Sequence, residues 1–330
     1  MLYWTGVPGS IRTAAVVGMS NIGLTINSTF GGARFYAENL ARGLIAEDRS
    51  NRYTLLTDQP SDYRQWEVDF GCETERVPFY NKYQSVLWDH VQVPLGVRRK
   101  KLDLLHHTKC ACPVFSTVPT VVTIHDLAFV ALPDMFARTQ GLYMRANYRY
   151  AARKAARIIT DSESSRRDLI RELGLEESKV SAIYLGSPHG MTRVDDSDSL
   201  ADMRRRYNLP EHYILYLGTI HPAKNLRMLV AAYQRLKRTT GVTHDLVIAG
   251  RMGWLTRDII ETAREASGSA PVVFPGIVHE ADKAALYSGA DLFVSPSLYE
   301  GFGLTILEAM QCGTPVVSSN ITSIPEVTGD

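Results

Sequence analysis

The stretch from Ser295 to Val317, SPSLYEGFGLTILEAMQCGTPVV, holds two carboxylates, Glu300 and Glu308, around a glycine pair. Leu292 to Val294 is apolar enough for an inner strand, and Gly301 and Gly303 let backbone amides approach a ligand closely. The helix expected next, through Leu304 and Thr305, aims its positive end at the same spot. Such a corner suits a diphosphate, with the two carboxylates as paired acceptors for hydroxyl groups. Each glutamate also has a purely structural alternative. Ser297 to Glu300 and Thr305 to Glu308 both show the capping-box spacing, in which the glutamate only satisfies helix-end amides.

A second constellation is Gly218-Thr-Ile-His-Pro-Ala-Lys224-Asn225, between an apolar run and a helical pattern. A leaving diphosphate gains negative charge as its bond to carbon breaks, so an ammonium fixed there favours the transition state over the ground state. The alternative is a solvated lysine. Arg251, in Ala249-Gly-Arg-Met-Gly-Trp254 after the next apolar run, is a further candidate cation at that edge, or a surface arginine. His125 and Asp126 close the apolar run Val121 to Ile124; His125 reads as a ligand contact or a satisfied core residue, Asp126 as a partner or a cap. Phe30-Gly31-Gly32-Ala33, before the first helical pattern, fits a loop whose amides approach an anion. His106-His107-Thr-Lys-Cys110-Ala-Cys112 tempts a metal reading. It is rejected, because adjacent histidines on a strand face opposite ways and Cys-x-Cys is not the usual metal-hairpin spacing. No metal ligand set is assigned.

These groups need a scaffold, and the alternation of Val- and Ile-rich runs with helical patterns specifies βαβ units and parallel sheets. Strands are expected at Ile22–Ile26, Tyr53–Thr57, Arg76–Phe79, Leu104–His107, Val121–His125, Ile158–Ser162 and Val180–Leu185. In the second half they are expected at Tyr213–Leu217, Asp245–Ala249, Val272–Phe274, Leu292–Ser295 and Val316–Ser318. A helix over Ala33–Ala46 would bury Ala33, Tyr36, Ala37, Leu40 and Leu44, and one over Leu226–Leu236 would bury Leu226, Leu229, Val230, Tyr233 and Leu236. The chain of 330 residues is long enough for two domains. The polar stretch around Gly186–Gly190 and Asp195–Ser199 divides it into a domain over 1–190, a linker over 191–210 and a domain over 211–330.

A net charge of +1 gives no reason to expect nucleic acid. Four scattered cysteines, at 72, 110, 112 and 312, make no disulfide framework. No apolar run approaches the roughly 18 residues of a membrane span, and the first 24 residues do not read as a secretory signal, so a cytoplasmic protein is expected. Met19 reads as the natural initiator, which would leave residues 1–18 outside the native start. Six basic and no acidic residues lie between Met135 and Thr160, with Arg145, Arg149, Arg153 and Arg157 at i+4. This is read as a positive helix face for peripheral contact with anionic membrane.

Glu300 and Glu308 around Gly301-Phe302-Gly303, together with Gly-Thr-x-x-Pro-x-Lys-Asn at 218–225, resemble the donor-site signature of retaining glycosyltransferases of family 4, and the resemblance runs from about Ile22 onward. It implies the GT-B architecture, two doubly wound Rossmann-like domains facing across a cleft. It also implies that Glu300 contacts the transferred sugar, Glu308 the nucleotide ribose, and the amides of Gly301 to Thr305 the sugar and diphosphate. Lys224 then meets the leaving diphosphate beside Gly218 and Thr219, His125 stands near the reaction centre, and Gly31 and Gly32 form the cleft loop. Many relatives carry a basic residue where this chain has Thr219, and Arg251 is the candidate replacement. The family's chemistry is metal-independent and needs no cofactor besides the nucleoside diphosphate sugar, which is a substrate.

The implied activity is transfer of a hexose, mannose from GDP-mannose favoured, to a glycan or lipid-linked hydroxyl in polysaccharide, lipopolysaccharide or glycolipid synthesis. Alternatives are a nucleotide-sugar epimerase, a noncatalytic sugar-nucleotide-binding relative, and a dinucleotide oxidoreductase. The last lacks a full Gly-x-Gly-x-x-Gly after a strand. The family continues into further helices beyond the position of Asp330, so a C-terminally truncated chain is expected.

Overall fold

A computed structural model describes residues 19–26, 32–78, 85–136, 138–186, 191–254, 256–265 and 270–329. By its internal contacts the chain divides into two compact units, residues 1–108 with 112–121, and residues 109–111 with 122–330. The first unit contains β1 (Asn21–Ile26), α1 (Gly32–Glu47), β2 (Arg52–Thr57), β3 (Glu73–Arg76) and β4 (Leu104–His107), with the strands parallel in the order β3-β2-β1-β4. Strand β5 (Thr120–Thr123) lies at the division.

The second unit continues with α2 (Arg138–Lys154), β6 (Arg157–Thr160), α3 (Glu163–Leu173), β7 (Val180–Ala182) and α4 (Ser197–Tyr207). It then alternates β8 (Tyr213–Leu217), α5 (Leu226–Thr240), β9 (Asp245–Ala249), α6 (Arg257–Glu265), β10 (Val272–Gly276), α7 (Lys283–Ser288), β11 (Leu292–Ser295), α8 (Leu304–Gln311), β12 (Val316–Ser318) and α9 (Ile324–Thr328). Strands β8 to β12 form a parallel sheet in the order β10-β9-β8-β11-β12. All five residues of β8 are buried, as a strand covered on both faces requires. Tyr213, Leu215 and Leu217 pack with Tyr287, Phe293 and Ile306, while Ile214 and Tyr216 pack with Leu226, Val230 and Ile248. The period of two thus divides one strand between two cores.

Several expectations shift. β3 occupies Glu73–Arg76 rather than Arg76–Phe79: Pro78 has no amide for the ladder, and the polar residues before it serve at a sheet edge. β7 stops at Ala182, and Ile183 and Tyr184 are exposed. β5 and β6 each end two residues early, so His125 and Ser162 lie just past their strands. In α1 the buried line is Ala37, Ala41 and Ile45, one i+4 row, whereas Ala33, Tyr36, Leu40 and Leu44 are only half-buried. Leu236 of α5 is exposed. The polar stretch read as a linker contains α4, which Asp196 caps by accepting the Ser199 amide and which buries Met203. Arg157 belongs to β6, so the basic row on α2 is Arg145, Arg149 and Arg153. Residues 1–18, Gly31 and 187–190 lie outside the described residues. None of the four cysteines is disulfide-bonded, and His107 points its Nε2 at Asp89, 3.2 Å away.

The start of α3 ties two parts of the second unit together. Ser162 Oγ accepts from the Ser165 amide at 3.1 Å and donates to the Gly301 carbonyl at 2.7 Å. The Glu163 and Ser164 amides donate to the two carboxylate oxygens of Glu326, on α9, at 2.8 and 2.7 Å. A carboxylate from a distant helix thus fills amides that a helix cannot satisfy itself. Glu326→Ala is therefore expected to destabilise the second unit by about 1–2 kcal/mol, the size of a lost helix cap, read as a lower urea midpoint.

Candidate active site

β11 delivers the chain into a turn that ends at Glu300, whose backbone is pinned on both sides. The Glu300 amide donates to Thr322 Oγ1 at 3.1 Å, and Ser323 Oγ donates to the Glu300 carbonyl at 2.9 Å. Lys224 Nζ and Ser297 Oγ both donate to Glu300 Oε1, at 2.5 and 2.6 Å. Lys224 closes a tight turn over Pro222–Lys224, and Asn225 reverses the chain with φ 54° before α5 begins. The turn is tied to the Glu300 loop by the Leu298 amide, which donates to the Ala223 carbonyl at 2.8 Å. The side chains of Lys224 and Glu300 are only 19% and 15% exposed, so their charges meet with little water between them.

The capping-box alternatives fail. Helix α8 starts at Leu304 behind Gly303, whose φ of +102° is costly for any residue with a side chain, and no side chain caps the helix. Its Ile306 and Leu307 amides bond back to the Gly303 carbonyl, which among the described residues leaves those of Leu304 and Thr305 for a ligand at the helix start. Leu304 and Thr305 are half-buried and Phe302 is buried at the same turn. Glu308, one turn on, is 1% exposed and accepts from Tyr287 Oη at 2.7 Å, with Lys283 Nζ 3.9 Å from its other oxygen. Burial raises its pKa, and Lys283 and Tyr287 offset this only in part.

Gly301 meets the first half of the same unit directly. A Cβ there would stand 2.8 Å from the His125 carbonyl oxygen and 3.0 Å from Asp126 Cβ, so only glycine permits this approach. His125 Nδ1 lies 2.7 Å from Asp161 Oδ2. A carboxylate accepts, so Nδ1 carries the proton and the ring is fixed through that nitrogen. Asp126 Oδ1 accepts the Ala128 amide at 2.9 Å, two residues on as in an Asx turn, and burial raises its pKa.

Gly218 and Thr219 follow β8. The Ile220 amide donates to the Arg251 carbonyl at 2.9 Å, which sets the Arg251 loop beside theirs with its side chain exposed. His221 stacks on Trp254, centroids 4.4 Å apart at 13°, and Trp254 Nε1 donates to the Met135 carbonyl at 2.7 Å. Burial, then Lys224, pushes the His221 pKa down to about 4. Gly32 is the first residue of α1, in the other unit. Within the second unit the structure thus joins Glu300 with Lys224, and Gly301 with the His125–Asp126 backbone. Asp161, Thr322, Ser323, Tyr287 and Lys283 escaped the sequence reading. Asp161 alone had a signal, an acid directly after a β-branched run.

Residues 30–188 match the family described as Glycosyltransferase Family 4, and residues 202–330 match Glycosyl transferases group 1. The O-antigen chain mannosyltransferase B of Escherichia coli is 34% identical over 210 residues, 64% of this chain and 55% of that protein. The serotype-specific mannosyltransferase WbdA of Escherichia coli is 34% identical over 53% of this chain and 22% of its own length, so the chain spans about half or less of these relatives. Among solved structures, Anabaena HepE in complex with UDP and glucose superposes with a TM-score of 0.70 at 18% identity, over 94% of this chain and 83% of that one. WaaG, a glycosyltransferase involved in lipopolysaccharide biosynthesis, superposes with a TM-score of 0.69 at 15% identity, over 93% of this chain and 83% of that one. Two family matches on successive halves, two parallel α/β sheets and these neighbours agree, and the chain belongs to glycosyltransferase family 4, with the GT-B fold.

Proposed function

We propose that this protein transfers a hexose, mannose from GDP-mannose first among candidates, to a hydroxyl of a growing O-antigen, lipopolysaccharide or related glycan, with retention at the anomeric carbon. The observation that carries the reading is the Lys224–Glu300 pair, set in the loop that runs into the uncapped start of α8. The names of the two mannosyltransferases support the choice of sugar. In this reading the acceptor oxygen bonds to the anomeric carbon as its bond to the phosphate oxygen breaks. The acceptor proton passes to that leaving oxygen on the same face. Glu300 holds the sugar hydroxyls, Lys224 and the α8 amides balance the charge that grows on the diphosphate, and Arg251 takes the place of the cation that Thr219 does not supply. No divalent ion or cofactor is assigned to the step. His125, oriented by Asp161, is assigned to the donor sugar, and Glu308 to the ribose.

We further propose that the protein works at the cytoplasmic membrane face. No helix among the described residues is long and apolar enough to cross a membrane. On α2, Arg145, Arg149 and Arg153 are exposed, and so are Leu142 and Tyr143. Basic residues held at an anionic surface contribute up to about 1 kcal/mol each.

Calorimetric titration with GDP, UDP and ADP, with and without chelator, is expected to show tightest binding of GDP in both conditions. Preference for UDP would remove the mannose assignment, and no binding by any would overturn the transferase reading. Lys224→Ala is expected to lower turnover about 100- to 1,000-fold with a smaller change in KM, measured by initial rates of transfer. Glu308→Gln should weaken nucleotide binding and yet gain stability relative to wild type as pH rises. A carboxyl whose pKa is raised on folding costs nothing below its ordinary value and progressively more above it, so the difference in Tm should grow from pH 4 towards neutrality. Vesicles containing anionic lipid should co-sediment the protein where neutral vesicles do not, and Arg145→Glu with Arg149→Glu should abolish the difference.

A further inference from the structure

A separate cluster lies at the opposite edge of the second sheet. His212 directly precedes β8, His244 precedes β9 and Asp291 precedes β11, and these three strands are neighbours in the order β9-β8-β11. Because they run parallel, the residues before them share the edge where the strands begin, while Gly218 follows the end of β8. Five residues of strand separate the two edges by about 16 Å.

Asp291 Oδ2 lies 3.4 Å from His212 Nδ1 and 3.5 Å from His244 Nε2. One ligand atom from each residue falls within 4.8 Å of the other two, the one such group among the described residues. These separations are long for direct hydrogen bonds. The two distances to Asp291 Oδ2 match the edge of a coordination tetrahedron, since metal–ligand bonds of about 2.0–2.1 Å put ligand atoms about 3.3–3.4 Å apart, and the two imidazole nitrogens lie within 4.8 Å of each other. Two imidazoles and one carboxylate are a common ligand set for first-row divalent ions, with the fourth position left to water.

The backbones that carry the ligands are already fixed. The Asp245 amide donates to the His212 carbonyl and the Asp291 amide to the Tyr213 carbonyl, both at 3.1 Å, and Tyr233 Oη donates to the His244 carbonyl at 3.1 Å. Asp291 Oδ2 accepts the Tyr213 amide at 3.1 Å, which orients the carboxylate and leaves a lone pair for a cation. The side chains of His212 and Asp291 are 59% and 41% exposed, which gives an ion access. Among the described residues the buried His244 Nδ1 meets no hydrogen-bond acceptor, so no outer partner there strengthens that ligand and affinity falls below that of a fully supported site.

We propose that His212, His244 and Asp291 bind one divalent first-row transition-metal ion, which fastens together the starts of three adjacent strands. The site is distinct from the Lys224–Glu300 centre and does not depend on the reading of that centre.

The test uses the full chain, stripped of metal and free of any affinity tag. Zinc is followed by calorimetry, and cobalt by visible absorption at neutral pH. The expected result is one ion per chain, tetrahedral cobalt bands, and a higher Tm with zinc. His212→Ala, His244→Ala and Asp291→Asn should each weaken binding by more than about 100-fold and abolish the zinc-dependent rise in Tm. Asp291→Asn keeps an acceptor for the Tyr213 amide, so it tests the site in a chain that folds. Absence of saturable binding in the wild type, or binding that these variants retain, would overturn the proposal.

Discussion

The second unit is organised around the Glu300 carboxylate, which is mostly shielded from water. Taking Glu300 out of water costs several kcal/mol unless a cation and further donors replace its hydration. Lys224 and Ser297 supply them on one oxygen, and Thr322 and Ser323 hold the backbone that carries it. These groups come from different positions along the sheet: Lys224 after β8, Ser297 after β11, and Thr322, which accepts the Glu300 amide, with Ser323 after β12. The ion pair therefore constrains three strand ends at once.

The glycines beside Glu300 extend that constraint to the first half of the same unit. Gly301 lets its backbone rest against the His125 carbonyl, and its own carbonyl accepts from Ser162, the cap of α3. Glu326, just past Thr322 and Ser323, fills the remaining amides of that helix start. Tyr299 adds a hydrogen bond to Asp168 on α3 at 2.8 Å. Movement of the Glu300 loop would disturb these bonds, so the charge centre and the contact with α3 are coupled through a few residues of backbone.

Glu308 shows the opposite balance. It is more deeply buried than Glu300 and has only Tyr287 close by, with Lys283 at 3.9 Å, so its folded environment disfavours the charge. A buried carboxylate with incomplete compensation is a stability cost of the kind binding sites carry, because a hydroxyl-bearing ligand supplies what the protein does not.

The sequence was sufficient for whatever depends on local pattern. Tyr213–Leu217 and Leu292–Ser295 were legible as strands because uninterrupted β-favouring apolar runs bounded by turns have few alternatives, and the Glu300–Glu308 segment by its glycines and carboxylates. β3 and β7 were placed less exactly, β3 lying three residues before its expected span and β7 ending three residues short of it, because each takes its extent from the strand it pairs with rather than from its own apolarity. On α1, Ala37 is buried as expected, but the row continues through Ala41 and Ile45 rather than Leu40 and Leu44, because the sheet selects which face packs. Lys224 and Glu300 were each legible as candidates, but their pairing, the Asp161 hydrogen bond to His125 and the convergence of His212, His244 and Asp291 were decided only by the tertiary structure. Those contacts join residues far apart in sequence, and parallel strand order, which no local pattern encodes, brings their ends together.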